Sequence, residues 1–133
     1  MACSISLTVS LAEAEFKCHN KIDLVILMDS SGSITRQQFK IGQKFAADLV
    51  KHFDVSKEKT NIAVASYSQY AYTARTFQDH ASQEMVLKAI HELKYEGAAS
   101  RLDFGFDLVE FKLFDKKYGA RNKGRYTSLV CSV

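Results

Sequence analysis

Only three cysteines occur among the 133 residues, no two of them form a C-x-x-C pair, and proline is absent altogether. The missing pair excludes a zinc ribbon or a thioredoxin-like motif. The odd count leaves two readings open. Cys18 is half of a domain-closing disulfide, or Cys18 and Cys131 are unpaired thiols, with Cys131 in a buried strand. No apolar stretch approaches the ~20 residues that cross a bilayer, so no transmembrane segment is expected. No block of five or more basic residues occurs, and the net charge of +3 is spread along the chain. Neither a nucleic acid nor a polybasic membrane contact is therefore expected. G-x-S-x-G, G-x-x-x-x-G-K-[ST] and G-x-G-x-x-G are all missing, which removes the usual signals of a serine hydrolase or a phosphate cradle. His19, His52, His80 and His91 fall near loops or on helices without a matching partner, and read as surface or interface residues. The chain is not expected to be an enzyme.

What is present has globular proportions, with 47% apolar and 25% charged residues. The length suits a single domain. Residues 1–17 read as a secretory signal or a disordered tail. Ile5 to Ala12 is mildly apolar and Ala12-Glu13-Ala14 has a small-x-small shape, but no Lys or Arg precedes it. Residues 18–133 form the folded unit.

Ile22 to Met28 is a near-continuous aliphatic run, as in a central parallel strand buried on both faces. It stops at the polar loop Asp29 to Ser33. Thr35-Arg36-Gln37-Gln38 is a capping box that starts a helix. Phe39, Gly42, Phe45, Ala46, Leu49, Val50 and Phe53 follow at helical spacing as one core-facing stripe. Ile62 to Tyr67 reads as a second buried strand. Ser68-Gln69-Tyr70 allows only a tight turn before Ala71 to Phe77, so these two strands form an antiparallel hairpin with an exposed edge. Ser82 caps a helix running through Leu93. The small residues Gly97 to Ser100 open a third helix from Arg101 to about Lys117, and Tyr118 to Gly124 is a basic surface connection. Tyr126 to Val133 resembles a fourth strand. The alternation predicts an α/β fold: a doubly wound, mostly parallel, Rossmann-like sheet with one antiparallel edge hairpin.

Ligands collect beyond the carboxyl ends of strands in such sheets, which directs attention to Asp29-Ser30-Ser31-Gly32-Ser33. The loop offers one carboxylate and up to three hydroxyls, counting Ser30. These are hard oxygens, suited to Mg²⁺, Mn²⁺ or Ca²⁺. The i, i+2, i+4 spacing lets an extended loop aim alternate side chains at one point. So few donors leave coordination positions for waters, other loops and an acidic group from a partner. The same residue types are also ordinary turn and cap formers.

The stretch Asp23-Leu24-Val25-Ile26-Leu27-Met28-Asp29-Ser30-Ser31-Gly32-Ser33-Ile34 closely resembles the first strand and metal loop of von Willebrand factor type A domains. Phe53-Asp54-Val55 and Thr60 to Ser68 are similar to that family's first helix end and second strand. Gly97-Ala98-Ala99-Ser100-Arg101-Leu102-Asp103 is similar to its second metal loop. The likeness spans roughly Lys21 to Val130. It implies a metal-ion-dependent adhesion site (MIDAS) in which Ser31 and Ser33 bind the cation through their hydroxyls and Asp29 binds directly or through water. Ser100 stands where the family has a threonine ligand. A serine there keeps the hydroxyl without the rotamer restriction of a β-branched residue, or simply serves as a helix N-cap. Asp103 reads as a first-turn acid favoured by the helix dipole.

The family completes this site with an aspartate at the end of the fourth strand, whereas the sequence here reads Leu129-Val130-Cys131-Ser132-Val133. The family's last strands and helices are missing too. The resemblance thus implies a C-terminally truncated member, incomplete in fold and weak in metal binding. Cys18-x-x-Lys21-x-Asp23-Leu24 is similar to the matrix and cell-surface branch of the family. That implies a secreted, extracellular adhesion module whose cation engages an acidic group of a protein ligand, such as a collagen or another matrix component. The alternatives are a metal-independent protein-interaction module, or a truncated isoform or fragment that has lost metal-dependent binding. The oligomeric state stays open.

Overall fold

The computed structural model describes residues 21–79 and 81–121, together with the backbone of 126–131. The signal-or-tail reading of 1–17, the folded unit's first residues 18–20, Cys3, Cys18, His19, His80 and Ser132-Val133 lie outside the described residues.

The aliphatic run forms β1 (Ile22–Asp29), in which every residue after Ile22 is buried. A strand buried on both faces needs apolar side chains at odd and even positions, and Leu24 to Met28 provide them. β1 pairs in parallel with β2 (Thr60–Tyr67) and with β4 (Tyr126–Cys131). β2 pairs antiparallel with β3 (Ala71–Arg75), which gives the order β3-β2-β1-β4. This is the expected mostly parallel sheet with one edge hairpin.

The two faces are covered separately, as a doubly wound fold requires. Leu24, Ile26, Met28, Ile62 and Val64 pack under α1 (Arg36–Val50) and α2 (Gln83–Glu92). Val25, Leu27, Ala63, Ala65 and Tyr67 pack on the other side, under the segment that begins with α3 (Leu102–Asp107). The Thr35 box forms as the spacing predicts: Gln38 N–H donates to the Thr35 hydroxyl at 3.1 Å, and Thr35 N–H donates to Gln38 Oε1 at 2.8 Å. Ser82 caps α2 through Met85 N–H at 3.2 Å.

Four expectations need correction. Phe45 is not part of the core-facing stripe. It is 51% exposed on α1, while Phe39, Gly42, Ala46 and Val50 are buried. At 100° per residue, Phe39, Gly42, Ala46 and Val50 fall within an arc of about 80°, and Phe45 lies about 60° outside it. The third helix is not continuous from Arg101 to Lys117. α3 gives way to a π turn over Leu108–Leu113 and then a single 3₁₀ turn, Lys116–Tyr118. Phe114 N–H reaches Val109 O at 3.0 Å, five residues back. The widened turn lets the adjacent Leu113 and Phe114 both reach the sheet, and leaves Phe111 71% exposed.

Arg75 at the end of the edge strand is buried, and its Nε donates to Ile62 O at 2.9 Å. A register shift between Val64 and Ala65 accompanies this inward turn. Finally, Arg121 in the basic connection is only partly exposed and is tied to the sheet. Its backbone N–H donates to Asp23 Oδ2 at 2.8 Å, and its Nε lies 3.3 Å from Asp23 Oδ1.

Candidate metal centre

β1 and β2 end level with each other, Asp29 opposite Tyr67, and the loops leaving them meet a third at the same edge. Gly97 N–H donates to Ser30 O at 2.9 Å, and Gly32 N–H donates to Ala98 O at 2.7 Å. The crossing is close enough that a Cβ on Gly32 would stand 2.7 Å from Gly97 O. Only a residue without a side chain lets the two backbones approach so far. Gly97 itself turns with φ +69°.

Ser68, just past β2, is the second tie. Its hydroxyl accepts Ala98 N–H at 3.1 Å and donates to Ala99 O at 3.3 Å. Its backbone carbonyl accepts Arg101 N–H at 2.9 Å. Ser100 therefore sits between two residues that are anchored to the same loop system.

Within the first loop, Ser31 N–H donates to Asp29 Oδ1 at 2.7 Å. The hydroxyls of Ser31 and Ser33 are 2.7 Å apart and hydrogen-bonded. Asp29 is 8% exposed and Ser31 fully buried, whereas Ser33 is open to solvent. Tyr67 is buried at the register position opposite Asp29. Burial first, then the charge of Asp29 and side-chain hydrogen bonding toward it, push the Tyr67 pKa up to about 12. Ser30, counted from sequence as a third hydroxyl for the site, points elsewhere. It donates to Tyr67 O at 3.1 Å and locks the two strand ends together.

Ser100 is exposed, and the N-cap position of α3 falls on Arg101, with no side-chain cap. The plain N-cap reading of Ser100 is thus corrected. Asp103 lies in the first turn of α3, as expected, and is gripped by Arg101 through Nε at 2.9 Å and Nη2 at 2.7 Å. That hydrogen-bonded pairing lowers the Asp103 pKa and raises that of Arg101.

The donor set is uniformly hard: one carboxylate and the hydroxyls of Ser31, Ser33 and Ser100. Two hydroxyl oxygens 2.7 Å apart are close to the ~3.0 Å edge of an octahedron with ~2.1 Å metal–oxygen bonds. No group of three or more His, Cys, Asp or Glu residues gathers among the described residues. The residues present fit a hard divalent cation with little formal negative charge to hold it. The register places Cys131 of β4 beside Met28, one residue short of Asp29.

Tyr67 and Ser68 were missed from sequence as parts of this site. Their signal was positional: they stand at the carboxyl end of the strand next to β1, where such sheets collect ligands.

The fold matches known proteins. Solved structures of proximal thread matrix protein 1 from the mussel byssus superpose with a TM-score of 0.73 over 86% of the chain and 30–31% of theirs, at 20–22% identity. One of these is described with a zinc-occupied MIDAS motif. Collagen alpha-1(XII) chain of Notophthalmus viridescens is 29% identical over 108 residues, 81% of this chain and 12% of the relative. Vitrin of Mus musculus is 29% identical over 110 residues, 83% of this chain and 17% of the relative. Cochlin of Bos taurus is 28% identical over 78 residues, 59% of this chain and 14% of the relative. The chain thus spans less than a fifth of these relatives. The family model for the von Willebrand factor type A domain matches residues 23–131, and the chain belongs to that family.

Proposed function

We propose that the chain is an extracellular protein-binding module in which Ser31, Ser33, Asp29 and Ser100 take a divalent cation at the carboxyl edge of the sheet. The observation that carries this reading is the hydroxyl pair of Ser31 and Ser33 at 2.7 Å beside the Asp29 carboxylate. A bound cation would supply an electrophilic point there, open to an acidic group of a protein ligand. The chain's own residues set how strongly. One carboxylate leaves the charge of the ion largely uncompensated, which favours an acidic ligand and weakens retention of the ion itself. Ser31 is buried beneath Ser33, so using both hydroxyls as ligands requires their mutual hydrogen bond to open. Mg²⁺ or Mn²⁺ suits the donors best, and Ca²⁺ with its larger shell less well.

Kinship with collagen chains and with a thread matrix protein supports a matrix setting and a protein ligand, collagen among the candidates. Among the described residues no helix is long and apolar enough to cross a membrane.

The test is thermal melting with and without millimolar Mg²⁺ or Mn²⁺. The melting temperature should rise with the ion, because a ligand of the native state stabilises it. Asp29→Ala should remove the rise. An unchanged melting temperature in the unmutated chain would leave the second reading, a protein-interaction module that works without metal. The low formal charge of the site favours that alternative.

A further inference from the structure

The positive charge that looks scattered along the sequence is gathered by the fold. Arg36, Lys40 and Lys44 of α1, Lys51 just past its end and Lys94 beyond α2 line one groove between the two helices. Asp48 is the one acidic residue lining it, and Lys51 neutralises it at 3.2 Å. Five cations less one acid give the groove +4, against +3 for the whole chain, so everything outside it sums to −1.

The groove is held in shape from below. Gln43 Nε2 donates to Ile90 O at 2.9 Å and to Leu93 O at 3.1 Å, clipping α1 to the end of α2. Phe39 and Tyr95 pack ring against ring at 5.8 Å, and the Tyr95 hydroxyl donates to Ile34 O at 2.7 Å. Arg36 lies over the Tyr95 ring, 5.1 Å from its centroid. A floor fixed in this way reduces the ordering cost of binding.

We infer that this groove binds an extended acidic segment of a partner protein, independently of any cation at the Asp29 loop. Spacing selects a polypeptide. Arg36, Lys40 and Lys44 recur every four residues, about 6 Å apart along the helix. Alternate side chains of an extended peptide recur every ~6.6 Å, so carboxylates at i, i+2 and i+4 meet successive cations. The aromatic and aliphatic floor accepts apolar side chains set between them. The groove encloses about 940 Å³.

The experiment titrates the full chain, in EDTA and at low salt, with a fluorescent peptide of alternating glutamate and tyrosine. Saturable binding that weakens with added salt is expected. Lys40→Glu with Lys44→Glu should weaken it roughly tenfold, the order for losing two exposed ion pairs and gaining repulsion. Lys94→Glu, from the other wall, should weaken it severalfold. Lys116→Glu with Lys117→Glu makes the same charge change near the opposite sheet face and should leave affinity within about twofold. All these lysines are exposed, and melting curves of the variants report their folding. Equal weakening by both double reversals would reduce the effect to overall charge and overturn the proposal. Absence of peptide binding in EDTA, or binding of a sulfated oligosaccharide in place of the peptide, would overturn it as well.

Discussion

Asp29 and Tyr67 are register partners at the carboxyl ends of adjacent parallel strands, and burial together with the Asp29 charge holds the Tyr67 phenol protonated well into alkali. The pairing sets a buried phenol opposite the one carboxylate of the proposed donor set.

That pairing should be visible in alkali. The Tyr67 pKa rises from 10.0 to about 12, so its interaction stabilises the fold fully below pH 10 and is lost as pH climbs through about 12. In EDTA, phenolate absorbance should show one tyrosine ionising later than the rest, and Tyr67→Phe should delete that late step. The substitution keeps the ring and should cost about 0.5–1.5 kcal/mol at neutral pH. A late step that survives in the variant would assign it to another tyrosine.

The crossing of the two loops makes Gly32 intolerant of any side chain. Gly32→Ala would drive a methyl to 2.7 Å from Gly97 O and should cost about 1–3 kcal/mol in urea unfolding. It should also lower the response to Mg²⁺, because Ser31, Ser33 and Ser100 would no longer share one edge. Unchanged stability would mean that the loops part freely.

Ser100 offers a graded test of the site. Ser100→Thr adds a methyl that narrows the rotamer choice and should tighten Mg²⁺ binding about two- to threefold. Ser100→Ala should weaken it by at least that factor. Both are read from the ion-dependent rise in melting temperature. Identical rises in all three proteins would remove Ser100 from the ligand set.

Arg121 should matter to stability far more than a surface residue. Arg121→Ala strips the guanidinium from Asp23, which is 5% exposed, and should cost about 1–3 kcal/mol in denaturant. A double-mutant cycle with Asp23→Asn should show coupling between the two, since both single changes disrupt one contact. Additive effects would place the cost elsewhere.

Sequence alone determined the features whose causes are local. The run Ile22 to Met28 can only be comfortable where both faces are buried. The Thr35–Gln38 box depends on two residues in one turn. The short link after Tyr67 admits nothing but a hairpin. The D-x-S-x-S loop places its oxygen donors within five residues of one another, but as a metal site it was suggested chiefly by the family resemblance of the strand before it.

Only the tertiary structure decided what each of those side chains actually touches. Ser30 and Ser31 are neighbours of one type, yet Ser30 bonds a carbonyl of β2 while Ser31 joins Ser33. Ser100 is brought to the edge by backbone hydrogen bonds and by Ser68, a residue 32 positions away in the chain. The basic groove is only half local: Arg36, Lys40 and Lys44 share one face of α1 by spacing, but Lys94 and the aromatic floor at Tyr95 join them only because the end of α2 packs against α1. Contacts between distant segments depend on how whole elements pack, and no local pattern of residues encodes that geometry.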